Sequence, residues 1–195
     1  MGRVRYNEDV DKFKFLKGFL KNWKEVGSIA PSSHFLVKKM TAPIDFKKAK
    51  VIVELGPGLG CITHKILEMM REDAKLIIFE TSQDFCSELR KNKDERIVVF
   101  NVSALDMAYH MKEIKADYVI SGIPLSTLSD DSRSLLLKAI KNILSDGGVY
   151  IQFQYSLGAY KKLKSIFSKV ILNFTFLNAP PAFVYQCVKS SADSE

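Results

Sequence analysis

At 195 residues the chain has the length of one domain with a full core, and with 47% apolar residues it reads as an ordinary globular protein. Its three cysteines, Cys61, Cys86 and Cys187, are scattered and odd in number, which excludes a disulfide framework or Cys-x-x-Cys zinc site and points to a reducing compartment. The net charge of +7 implies an anionic partner, nucleic acid or an acidic membrane surface, and no apolar run approaches the roughly 18 residues of a membrane span.

The opening quarter is rich in lysine. From Asn7 to Lys24, capping-type residues give way to apolar residues at helical intervals. At about 100° per residue, Phe13, Phe15, Leu16, Phe19, Leu20 and Trp23 share an arc of roughly 160°, and Lys14, Lys17, Lys21 and Lys24 fall opposite. The spacing predicts a basic amphipathic helix with aromatic anchors, suited to a membrane interface or to packing on the domain with a solvated lysine face. Charges throughout residues 1–19 argue against a secretory signal, so the sequon Asn101-Val-Ser103 carries no weight. A turn of small residues, 25–33, leads to a second short helix over 34–40, with Ser32 or Ser33 as its cap. Lys38, Lys39, Lys47, Lys48 and Lys50 extend the basic surface. Residues 1–48 thus read as a helical appendage, both membrane-docking segment and substrate lid. One domain follows at 49–189, then a frayed polar tail at 190–195.

The apolar run Val51-Ile-Val-Glu-Leu55 ends in three alternating glycines, Gly56, Gly58 and Gly60, followed by Ile62, Ile66, Leu67 and Met70 at helical spacing. This is strand, tight turn and helix, with free amides at the helix start. The glycine spacing is tighter than the Gly-x-Gly-x-x-Gly of dinucleotide sites, where this chain has Cys61. Glu54, just before the turn, suits an ammonium or sulfonium better than a phosphate. Glu80 closes the next apolar run, 75–80, about 20 residues beyond the glycines, the offset at which an acid takes ribose hydroxyls. Two acids around a glycine turn fit S-adenosylmethionine. Cys61 and His64 share a helix face, but two ligands do not make a tetrahedral site, and no metal is expected.

Beyond Glu80 the pattern alternates: helix 83–91, strand 96–100, short helix 104–112, and strand 117–121 leading into Gly122-Ile-Pro-Leu125. A long helix, 130–144, is stopped by Ser145-Asp-Gly-Gly148; strand 149–155 and helix 160–168 follow. The last two strands, 170–176 and 183–188, are joined too briefly for a crossover, so they pair antiparallel. The expected class is α/β, Rossmann-like, with a seven-stranded mostly parallel sheet, a terminal antiparallel hairpin and helices on both faces.

From about Ala49 to Val188 this arrangement resembles the class I S-adenosylmethionine-dependent methyltransferases. The resemblance implies that Gly56, Gly58 and Gly60 contact the methionine moiety, that Glu80 accepts the ribose hydroxyls and that Glu54 holds the amino group. Ser103 and Ala104 stand where the family places an adenine-reading Asp, Asp106 lies too far along to replace it without a bend, and Ser121 joins the cofactor set.

Stretches across most of the chain, among them Phe15-Leu-Lys-Gly-Phe-Leu-Lys-Asn-Trp23, Glu54-Leu-Gly-Pro-Gly-Leu-Gly60, Ser121-Gly-Ile-Pro-Leu125 and Asn178-Ala-Pro-Pro-Ala182, look like bacterial phospholipid N-methyltransferases. Those enzymes methylate the amine of phosphatidylethanolamine toward phosphatidylcholine. Ser33-His-Phe-Leu36 and the glycine stretch also resemble ribosomal RNA adenine dimethyltransferases. That second family carries Asn-Leu-Pro followed by Tyr or Phe at the exit of strand four, to hold and stack a flipped base. Gly122-Ile-Pro-Leu125 lacks both the polar holder and the ring.

The lipid resemblance implies a cytoplasmic enzyme docked peripherally on the inner face of the cell membrane. Phe13, Lys14, Phe15, Lys17, Phe19, Lys21, Trp23 and Lys24 would bind anionic lipid. Tyr155 is expected as a wall beside the amine and His34 as proton acceptor, with Phe35, Ile123, Pro124 and Leu125 shaping the substrate pocket. RNA adenine N6-methylation is the alternative, and a methyltransferase-fold binding protein without turnover is the third reading. No feature sets the oligomeric state.

Overall fold

The computed structural model describes residues 30–178 and 180–191, with side chains from His34 onward; the expected amphipathic helix and all eight of its membrane-binding residues lie outside the described residues. The apolar, β-branched runs form strands buried on both faces, as a sheet covered by crossover helices requires. β1 (Val51–Leu55) lies between β2 (Lys75–Phe79) and β4 (Ala116–Ser121), in parallel with both. β3 (Ile97–Phe100) pairs with β2, and β5 (Leu144–Gln154) with β4. β7 (Ala182–Val188) runs antiparallel between β5 and the edge strand β6 (Lys169–Thr175), so the order is β3-β2-β1-β4-β5-β7-β6. The order reverses between β1 and β4, and ligands of such sheets bind there, at the strands' carboxyl ends.

Alternation along the strands sends side chains to two cores. Val53, Leu55 and Tyr150 face α4 (Met107–Met111), α5 (Asp130–Ile143) and α6 (Tyr160–Ile166). Ile52, Ile120 and Ile151 face α1 (Ala30–Thr41), α2 (Cys61–Met69) and α3 (Gln83–Arg90). Arg96 fixes the end of α2 by donating to the carbonyls of Leu67 and Met70 while pairing with Asp94 at 2.6 Å. Among the described residues, no helix is long and apolar enough to cross a membrane.

Several boundaries differ from those the sequence suggests. α1 is already helical at Ala30, so Ser32 and Ser33 fall inside its first turn instead of capping it, and Pro31 sits where a helix tolerates proline. Leu36, Met40, Ile44 and Phe46 are buried in the core, so the domain begins before Ala49. Ser145-Asp-Gly-Gly148 does not end an element before the fifth strand. It bulges out of β5, where Leu144 pairs with Ala116 and Val149 with Tyr118. The stretch 104–112 splits into a 3₁₀ turn, Ala104–Asp106, and the short α4.

Candidate active site

Beyond Leu55 the chain turns through Gly56, Gly58 and Gly60, at φ of 64°, 55° and 77°, a region open to glycine at no steric cost. A Cβ on Gly56 would lie 2.9 Å from Ile123 Cγ1, whereas one on Gly58 would meet nothing within 4 Å.

Glu54 points beneath this turn toward α2. Its Oε2 accepts a 2.7 Å hydrogen bond from the Thr63 hydroxyl, and its Oε1 is buried with no partner. Burial, reinforced by the charge of Glu80, pushes the carboxyl up to about 7, against the opposing Thr63 hydrogen bond. An orphaned buried carboxylate oxygen is the acceptor that a ligand's ammonium group would satisfy. Glu80, one residue past β2, ties two loops together: Oε1 accepts from the Ser82 amide at 2.8 Å and Oε2 from the Gly58 amide at 3.4 Å.

Between these loops opens a cavity of about 490 Å³, mouth included, lined by Gly56, Glu80, Ser103, Leu105, Ile123 and Leu128 among others. Ala104 is also in its wall. Ser103 Oγ accepts from the Leu105 amide at 3.1 Å, which caps the 3₁₀ turn. The slot is therefore mainly apolar where the family would place an acid. Asp106, at the far end of the turn, is exposed and outside the lining.

The exit of β4 is held from below. Ser121, fully buried, does not face the cavity as a cofactor ligand should: its Oγ accepts from the Ile123 amide at 3.1 Å. Gln152 Nε2 donates to the Ile123 carbonyl at 3.1 Å and to the Phe153 carbonyl at 2.6 Å, and the Tyr150 hydroxyl donates to Gln152 Oε1. Both backbone groups of Ile123 are thereby fixed. The Gly122 amide donates to the Leu55 carbonyl at 2.8 Å, and a Cβ at Gly122 would lie 2.5 Å from the Gly56 carbonyl oxygen. Leu125, expected as a pocket wall, is instead buried in the core. A 3₁₀ turn, Leu125–Thr127, carries it inward after Pro124, and Arg133 Nε donates to its carbonyl at 2.9 Å.

Tyr155 follows β5 at the same edge, its ring 5.7 Å from Phe153 and edge-on to it. Although Tyr155 is partly exposed, loss of water from the buried part of its side chain raises the phenol above the ordinary 10 despite the hydrogen bond with Asn178, so the group stays neutral at physiological pH and is no base. His34 and Phe35, edge-to-face at 6.1 Å, lie on the amino-terminal half of α1 and are exposed. Of the expected site residues the cavity lining collects Gly56, Glu80, Ser103, Ala104 and Ile123, whereas Glu54, Gly58, Gly60, Pro124, His34, Phe35 and Tyr155 are absent from it. Among the described residues, no group of three His, Cys, Asp or Glu is placed to hold a metal ion.

The family model described as ribosomal RNA adenine dimethylase matches residues 11–142. The chain belongs to this methyltransferase family. An ornithine lipid N-methyltransferase from Singulisphaera acidiphila is 31% identical over 183 residues, 91% of this chain and 95% of that protein. Ribosomal RNA small subunit methyltransferase A of Metamycoplasma arthritidis is 30% identical over 131 residues, 65% of this chain but 47% of its own length. The 1,6-didemethyltoxoflavin-N1-methyltransferase of Burkholderia thailandensis, solved with 1,6-didemethyltoxoflavin and S-adenosylhomocysteine, shares the fold. Its TM-score is 0.75 at 12% identity, over 98% of this chain and 92% of that one. This chain is an S-adenosylmethionine-dependent methyltransferase.

Within this site Gly58 adopts the positive φ of the turn, Glu54 Oε1 offers a buried acceptor and Glu80 fixes the turn. Thr63 and Gln152 escaped the sequence reading. Gln152, an amide between Ile151 and Phe153 in an apolar strand, carried a signal in the sequence, whereas Thr63, between Ile62 and His64, carried none; both are buried in the structure.

Proposed function

We propose that this methyltransferase transfers a methyl group to the amine of a membrane lipid headgroup, phosphatidylethanolamine in our reading, while docked peripherally on an anionic membrane surface. The observation that carries the reading is the contact of Gly122 with Gly56. With a Cβ at position 122 only 2.5 Å from a backbone oxygen, this exit loop has no room for the amide side chain with which base-methylating relatives hold an adenine amine. Burial of Leu125 likewise removes the stacking platform from the fourth position of the motif. The relative that matches nearly end to end is a lipid N-methyltransferase, whereas this chain spans less than half of the RNA enzyme above.

Bound S-adenosylmethionine supplies a sulfonium methyl as the electrophile. Transfer to a neutral amine is an in-line displacement, favoured by alignment and exclusion of water. Glu54 and the glycine turn hold the donor side, and Glu80 orients the turn. Ser121 and Gln152 fix the Ile123 backbone that bounds the acceptor side. The neutral Tyr155 ring serves as a face for the cationic product, and His34, exposed on α1, is the candidate from the sequence for the ammonium proton.

Incubation with labelled S-adenosylmethionine and vesicles of phosphatidylethanolamine, vesicles of ornithine lipid, or unmodified ribosomal RNA tests the reading. Label in the phosphatidylethanolamine is expected. Label in ornithine lipid alone moves the substrate to the lipid named by the relative, label in RNA restores the adenine reading that the family model favours, and no label in any acceptor supports a binding protein whose acid-free Ser103 slot holds the donor without turnover.

A further inference from the structure

The two edges of the sheet show different chemistry to solvent. At the amino ends of the strands the exposed positions are largely charged, including Lys47, Lys50, Asp73, Lys75, Glu113 and Lys115, with Ile114 and Met69 as large apolar exceptions. At the carboxyl ends, around the donor cavity, Leu59, Leu105, Tyr155, Leu157, Phe176 and Leu177 are all exposed. The most prominent pair forms the connection between β6 and β7, with Phe176 79% and Leu177 61% exposed.

This tip is built, not loose. Phe176 stands perpendicular to Phe174 at 4.4 Å, and Phe174 rests on Phe183 at 4.8 Å, so an aromatic ladder rises from the core to the tip. Behind it Asn178, 4% exposed, closes the turn by donating to the Pro180 carbonyl at 2.8 Å. A buttressed Phe-Leu tip in water is the arrangement of an anchor held ready for an apolar phase.

The occupant follows from the surroundings. Leu105 lines the donor cavity, and Tyr155, Leu157, Phe176 and Leu177 follow β5 and β6 at the same ends of the sheet; on the amine-lipid reading above the acceptor arrives within a bilayer. The protein is cationic, at +7. In the amino-acid sequence, residues 1–29 add further lysines together with Trp23 and the phenylalanines at 13, 15 and 19. We propose that Phe176 and Leu177 form a membrane-inserting tip that seats the mouth of the donor cavity on an anionic bilayer.

The test uses the full chain in two forms. In a Trp23→Phe background, Phe176→Trp places the sole tryptophan at the tip. With vesicles of phosphatidylethanolamine and anionic phosphatidylglycerol its emission should shift to the blue and be quenched by lipids brominated on their acyl chains. The second form, Phe176→Ser with Leu177→Ser, should lose at least about tenfold in vesicle partitioning by flotation. Calorimetric binding of S-adenosylhomocysteine, which reports the fold and the donor site, should stay unchanged. An unquenched tryptophan, equal flotation of parent and serine variant, or a blue shift that depends on protein concentration without vesicles, as a second copy would give, overturns the proposal. Failure of the substrate reading looks different: quenching and the flotation difference persist while no lipid is labelled.

Discussion

The strands β1 to β3 and the strands β4 to β7 solve opposite binding problems with opposite means. The first half meets its ligand with polar groups at the strand ends: a glycine turn, a buried carboxylate with a free oxygen, and a second carboxylate gripping two backbone amides. The second half works from underneath, where Gln152, Tyr150 and Ser121 hold a loop by its backbone. A donor of fixed structure can be recognised atom by atom, whereas the lipid acceptor proposed above would need a shaped and rigid opening.

The comparison predicts that substitutions in the two halves fail in different ways. The largest effect belongs to Gly58→Val, which forces a β-branched residue to a φ of 55° and distorts the turn. Donor affinity by calorimetry should drop more than about 100-fold, on the order of 3 kcal/mol or more, and the melting temperature should fall by a few degrees with the backbone strain. Retained affinity would show that the donor does not lie over the glycine turn.

The second effect is a pH dependence. Burial holds the Glu54 carboxyl at about 7 against its ordinary 4.5. The unfolded chain therefore gives up this proton at lower pH than the folded one. The stability associated with the protonated group is complete below about 4.5 and is lost as pH rises through about 7, on the order of 3 kcal/mol in all. Melting temperatures of the donor-free protein should fall over that window, and Glu54→Gln should flatten the slope; parallel curves for the two proteins would count against the assignment.

The smallest effect sharpens the contrast. Gln152→Leu strips partners from the Ile123 carbonyl and the Tyr150 hydroxyl, at about 1–3 kcal/mol for each buried group left unsatisfied. Turnover should fall while donor affinity holds. An equal loss of donor affinity would mean that the two halves are not separable.

The same division governs what could be read from the amino-acid sequence. Strands appeared as apolar runs, the reversed pairing of β7 followed from a connection too short to cross over, and the glycines with Glu54 and Glu80 advertised their half because their spacing along the chain is itself the geometry. The other half was opaque. Gln152 is one amide in a strand and reveals its partners only once Ile123 folds over it. Leu125 looked like a pocket wall because nothing local announces that the turn after Pro124 rotates it inward. Ser145 to Gly148 has the composition of a stop signal, and only pairing with β4 makes it a bulge.

The approach of Gly122 to Gly56 has one further consequence. Where two main chains rest against each other, with the Gly122 amide bonded to the Leu55 carbonyl, the span between donor turn and acceptor loop is set by atoms common to every residue type. The contact works as a ruler. Substitutions around the mouth that keep glycine at position 122 leave that span alone.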